Sequence, residues 1–204
     1  DDTMRLHYNI RVGIGTESAV TFDATSGGTA SPVSHTCTGA NRLLLVWVNR
    51  LTTPATGVTY GGVAMTQVGT NRSGTGVQMN AWRLIAPATG ANDIAVTGGS
   101  GTMTIVAISF TGVNQTTPIT NVVESNVAAG TSITAAPNGR TNTITVGGMA
   151  HEGTDTNTAN AGDTVQQNVA NNHRTSLHTE VSAATGTTTV GISWDPAANR
   201  DAGI

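Results

Sequence analysis

The sequence predicts an all-β fold, a two-sheet antiparallel β-sandwich of jelly-roll type with an extra long strand at its start. Three observations predict it. Gly supplies 25 of the 204 residues and charged residues only 10%, and Thr is abundant throughout, a composition of strands joined by tight turns. Short apolar or alternating runs recur at fairly even intervals, separated by Gly-, Pro- and Asn-rich connections. No apolar stripe at 3.6-residue spacing extends beyond about two turns, so helix is marginal.

The first element is the most regular. In residues 3–14, Met4, Leu6, Tyr8, Ile10, Val12 and Ile14 all fall on one face of a period-two pattern. The Gly13–Thr16 connection suits either a tight hairpin or an outstretched arm, so the chain divides into an N-terminal strand or arm, 1–16, and a single sandwich domain, 17–204. Ala19–Asp23 reads as a strand, and a Ser/Gly/Thr/Pro loop follows. Arg42–Arg50 contains Leu43-Leu-Leu-Val-Trp-Val48, a run continuous enough for a central strand buried on both faces, with Trp47 in the core. Within 57–68, Gly61-Gly62 separates two short strands as a hairpin turn. Strands follow over 77–85, 93–97, 103–110, 132–135, 141–146, 164–169, 175–181 and 187–194, and the polar stretch 152–163 reads as a loop. No internal repeat of 20–50 residues is visible, which excludes solenoids and propellers.

Composition also limits function. The net charge of −3 offers no basic stripe for phosphates, and aromatic residues at 3% make a poor stacking platform, so nucleic acid is not an expected partner. No run approaches the length of a membrane-spanning helix. All nine cations are Arg, a residue suited to rigid pairing with carboxylates. Cys37 stands alone, which rules out an intrachain disulfide and suits a small buried side chain. The start at Asp1-Asp2 fits removal of a leader, so an extracellular location is expected.

Four segments carry a resemblance: Val58-Thr-Tyr-Gly-Gly-Val-Ala-Met-Thr-Gln-Val68, Trp82-Arg-Leu-Ile-Ala-Pro87, Ser109-Phe-Thr-Gly-Val-Asn-Gln-Thr-Thr-Pro118 and Val190-Gly-Ile-Ser-Trp194. Together they resemble a concanavalin A-like jelly-roll module of secreted bacterial and phage-encoded proteins, over about residues 19 to 204. The resemblance implies a fold and a location outside the cell, and it implies no catalytic residues. Two departures stand out. The final apolar strand of the pattern is absent where the chain ends at Asp201-Ala-Gly-Ile204, and the alternating strand of residues 3–14 is additional to it.

One strand short and one strand over suggests exchange between copies. An unpaired sheet edge recruits a strand readily, and the first strand of one subunit could supply the ladder while its six apolar side chains fill the groove of the next. Burial of six such side chains contributes on the order of 10 kcal/mol before ordering costs. A head-to-tail contact of this kind does not close on itself and builds a filament.

Catalysis is not expected. Asp23, Asp93, Glu124, Glu152, Asp155, Asp163, Glu180 and Asp195 are scattered over the chain with no recognised motif. Asp155, Asn157 and Asp163 form the best oxygen-rich cluster but lack the spacing of a calcium loop, so neither a metal nor another cofactor is expected. His173 and His178 fall on opposite faces of a strand, and surface positions are expected for the histidines. The leading expectation is a self-assembling structural subunit of an extracellular filament or surface assembly, its partner a second copy of itself. The alternatives are a carbohydrate-binding or adhesion module contacting a surface glycan through Tyr60 and Trp82, and a phage decoration or tail-associated protein.

Overall fold

The computed structural model describes residues 5–12, 19–74, 76–127, 132–135, 143–152, 157–159, 163–171, 173–182 and 190–194. These form seventeen strands: β1 (Arg5–Val12), β2 (Thr21–Gly28), β3 (Val33–Cys37), β4 (Leu43–Arg50), β5 (Gly57–Tyr60), β6 (Val63–Ala64), β7 (Thr66–Gly74), β8 (Val77–Ile85), β9 (Gly90–Thr97), β10 (Met103–Thr111), β11 (Ile119–Val127), β12 (Ser132–Ala135), β13 (Thr143–Glu152), β14 (Asn157–Ala159), β15 (Thr164–Ala170), β16 (His173–Ser182) and β17 (Val190–Trp194). No helix occurs among the described residues.

The expected strands form, several with different ends, and the one expected after Gly61-Gly62 is divided into β6 and β7. Three others arise where the sequence suggested connections: β3, β11 and β14. Within β3 the side chains of Val33, His35 and Cys37 are buried while Ser34 and Thr36 are exposed. That alternation is present in the sequence but is written in Ser, Thr and His, which also make turns. At the β5–β6 hairpin, Gly61 and Gly62 take φ of 55° and 81°, the left-handed values that a tight hairpin turn demands and that glycine adopts without a Cβ clash.

Four sheets result, all antiparallel: β11-β1-β13-β16-β15, β2-β10-β4-β8-β7, β3-β9-β5-β6 and β12-β17-β14. The all-β sandwich holds, but it is layered more deeply than two sheets. Strand β4 explains the stacking, because Leu43, Leu45 and Trp47 enter one core cluster and Leu44, Val46 and Val48 enter the other. Strand β10 divides likewise, with Val106, Ile108 and Phe110 on one side and Ile105 and Ala107 on the other. The β4 sheet is therefore a central layer between the β1 sheet and the β9 sheet. On the far face of the β1 sheet, β12 touches β1 and β11 while β17 touches β13 and β16, and Thr145, Met149, Ser176 and His178 are fully buried there. A continuous apolar run reports burial on both faces, but the number of layers that achieve it depends on pairings far apart in sequence.

Candidate functional site: the β1 groove

The six apolar residues expected to form an inter-subunit strand centre on β1. In the single chain β1 lies inside a sheet, antiparallel to β11 on one side and β13 on the other. Its register with β13 is unbroken from Arg5↔His151 to Val12↔Ile144, and its register with β11 runs from Arg5↔Val127 to a bulge at Arg11/Val12. Both edges of the strand are satisfied within the same chain. Ile10 and Val12 are fully buried in the cluster shared with the β4 sheet, and each contributes about 1.5–3 kcal/mol by leaving water. Leu6 and Tyr8 occupy register positions opposite Ala150 and Gly148. Met4 and Ile14 lie outside the described residues.

The floor of the groove comes from the β4 sheet. Trp47, fully buried, reaches across to Gly148 on β13, where an added Cβ would lie 2.5 Å from indole Cε2 and 2.6 Å from Cδ1. Only a glycine leaves room for the indole there. In register, Gly148 lies between Tyr8 on β1 and Leu177 on β16, so the close approach between the two large sheets occurs beside the middle of β1. The sequence marks Trp47 as core but gives no sign that Gly148 faces it.

The outer wall of the groove is β11, tied to the neighbouring sheet by Glu124. Its two carboxylate oxygens accept hydrogen bonds from Thr70 N and Thr70 Oγ1, each at 2.8 Å, and Arg72 lies 3.5 Å from Oε2. Glu124 stood in the sequence as one scattered acid, and the only local signal was a lone carboxylate within an apolar stretch, Val122-Val-Glu124.

The residues proposed to contact a glycan are placed differently. Tyr60 is 1% exposed and Trp82 6%, so neither ring presents a face to a sugar. Both point into the core between the β4 and β9 sheets, because β5 and β8 alternate so as to turn them inward. The Tyr60 hydroxyl lies 3.2 Å from His35 O, 3.1 Å from Gly90 O and 3.4 Å from Ala88 O, and Asn92 Nδ2 donates to it at 3.4 Å. Burial, reinforced by Cys37, pushes the phenol up to about 12.

Beside Tyr60 lies a small polar cluster. Ser26 Oγ and His35 Nδ1 are 2.9 Å apart, and His35 packs edge-on to Tyr60. Asp23 accepts from Thr38 N at 2.9 Å, from Ser109 Oγ at 2.8 Å and from the Thr38 hydroxyl. Burial alone would raise the Asp23 carboxyl, but the hydrogen bonds from Thr38 and Ser109, with His35 nearby, hold it below its ordinary value. Burial pushes His35 down to about 4 against the opposing pull of Asp23. It does the same to His178, whose Nε2 lies 3.0 Å from Ser176 Oγ. Surface positions were expected for the histidines; His35, His173 and His178 are instead buried, since the four-layer stack covers both faces of β16 and the inner face of β3. Cys37 is buried and unbridged.

Of the oxygen-rich cluster, Asp155 lies outside the described residues, Asn157 begins β14 and Asp163 is half-buried just before β15. No three His, Cys, Asp or Glu residues come together as a metal site among the described residues. No helix of the described residues is long and apolar enough to cross a membrane.

Set beside known proteins, the chain matches no family model, no curated protein and no solved structure.

Proposed function

We propose that this chain is a structural subunit of an extracellular filament or surface assembly, in which β1 of one copy completes the sheet of the next. The observation that carries the reading is the placement of β1: the first strand in the chain sits inside the sheet, paired on both sides, between the terminal strand β11 and β13. Withdrawing it would leave two unpaired ladders flanking an apolar slot, the kind of edge that captures another strand. In the single chain its own β1 fills the slot. A neighbour's β1 offers the same backbone ladder and the same Ile10 and Val12, so exchange conserves every contact between strand and groove, the condition for domain-swapped assembly.

The composition and the jelly-roll resemblance favour a location outside the cell, where closely paired backbone resists proteolysis. The glycan-binding reading has less support, because Tyr60 and Trp82 lie in the core.

The test uses a cysteine pair in the intact chain. Asn9 and Val123 are register partners, and facing positions on antiparallel strands are close enough for a disulfide. The variant Asn9→Cys with Val123→Cys, oxidised under assembly conditions, gives a covalent ladder on a non-reducing gel if β1 is exchanged. Closed single chains alone would overturn the proposal. Cys37 stays out of the reaction, being buried with its thiol pushed up.

A further inference from the structure

The geometry points to Glu124 as the clasp that keeps the β1 groove open to an incoming strand. This rests on the strand-exchange reading above. In the order β11-β1-β13-β16-β15, β11 is a terminal strand whose one ladder partner among the described residues is β1. When β1 leaves, β13 keeps β16, but β11 keeps no strand in that sheet. Something else must hold it at the width of one strand from β13, or the groove collapses before a new strand arrives.

Glu124 is placed to do this. Strand β7 bulges between Val68 and Arg72, where its pairing passes from Val68↔Ala81 to Arg72↔Met79. Gly69, Thr70 and Asn71 are thereby released from the regular ladder with β8, which frees the Thr70 N–H to point elsewhere. It points at Glu124, as does the Thr70 hydroxyl, each at 2.8 Å, and Arg72 supplies charge at 3.5 Å. Two hydrogen bonds to one carboxylate define its position more closely than a lone surface ion pair does. Apart from Glu124, β11 is held by the partial packing of Ile119 and Val122 on the core and by its contact with β12 on the far face. The clasp joins β11 to the β4 sheet and not to β1, so it survives departure of the strand.

Glu124 is thus a positioning residue for strand capture, and its removal affects capture more than it affects the closed subunit, where β1 itself pairs with β11. The experiment offers a fluorescent peptide of residues 1–14 to the intact chain and measures the fraction captured at equilibrium, with thermal unfolding followed in parallel. Wild type captures the peptide; Glu124→Ala and Thr70→Val capture about tenfold less, while their unfolding midpoints stay near that of wild type. Thr70→Val removes one hydroxyl, and it serves as the reading if Glu124→Ala fails to fold. Undiminished capture by the variants overturns the clasp and leaves strand exchange standing. A wild-type chain that takes up no peptide and gives no disulfide ladder overturns both.

Discussion

Trp47 and Gly148 meet across the two large sheets so closely that the glycine hydrogen stands where no side chain could. Gly148→Ala places a methyl within 2.6 Å of the indole, and both partners belong to rigid strands. The expected cost is about 1–3 kcal/mol, typical of overpacking a filled core, read as a lower midpoint in urea unfolding. Combining it with Trp47→Leu, which vacates the space, should cost less than the sum of the two single changes; strict additivity would show that the pair does not touch.

Asn49 on β4 is fully buried, and neither its Oδ1 nor its Nδ2 has a hydrogen-bond partner among the described residues. Leaving such groups without water costs about 1–3 kcal/mol. Leu has nearly the same shape and removes the polar atoms, so Asn49→Leu raises stability by roughly 1 kcal/mol or more. A fall in the denaturation midpoint would contradict this account.

Tyr60→Phe removes a buried hydroxyl set among three carbonyl oxygens. One O–H cannot satisfy all three at once, so the expected loss is about 1 kcal/mol. Tyr60→Ala, which also empties the ring's space, costs about 3–5 kcal/mol. Calorimetry on the two variants separates the hydroxyl from the ring.

Acid weakens the fold through its buried histidines. His35 and His178 titrate near 4 in the folded chain and near 6.5 when free, so between those values the unfolded state binds more protons than the folded one. Stability from these groups is complete above about pH 6.5, declines as pH falls toward about 4, and changes no further below it. Each histidine adds at most about 1.4 kcal/mol per pH unit within the window. Asp23, held below its ordinary value, adds a loss in the same direction at still lower pH. Unfolding midpoints measured from pH 7 to 4 should show the slope, and His178→Gln should make it shallower; an unchanged slope would show that His178 is not the group being protonated.

Much of the architecture is legible in the residues because strand faces are written locally. The alternation of residues 3–14 marks a strand with one apolar face, the run Leu43–Val48 marks burial on both faces, and Gly61-Gly62 marks a hairpin. Strands β3 and β14 are less legible, since Ser, Thr and Asn serve turns and exposed strand faces equally. The histidines and Tyr60 mislead for a related reason: an amphipathic side chain in a strand shows which face it occupies, but not whether another sheet covers that face.

By itself the sequence determined that this chain is built of strands, where most of them lie, and which faces are apolar, because side-chain direction alternates with every residue and needs no knowledge of neighbours. Only the tertiary structure decided that β1 lies between β11 and β13, that Gly148 receives Trp47, that Glu124 ties β11 to the bulge of β7, and that four layers cover His35 and His178. Each of these depends on which strands pair across more than fifty residues of chain, and an alternating strand accepts any partner that offers a ladder and an apolar face.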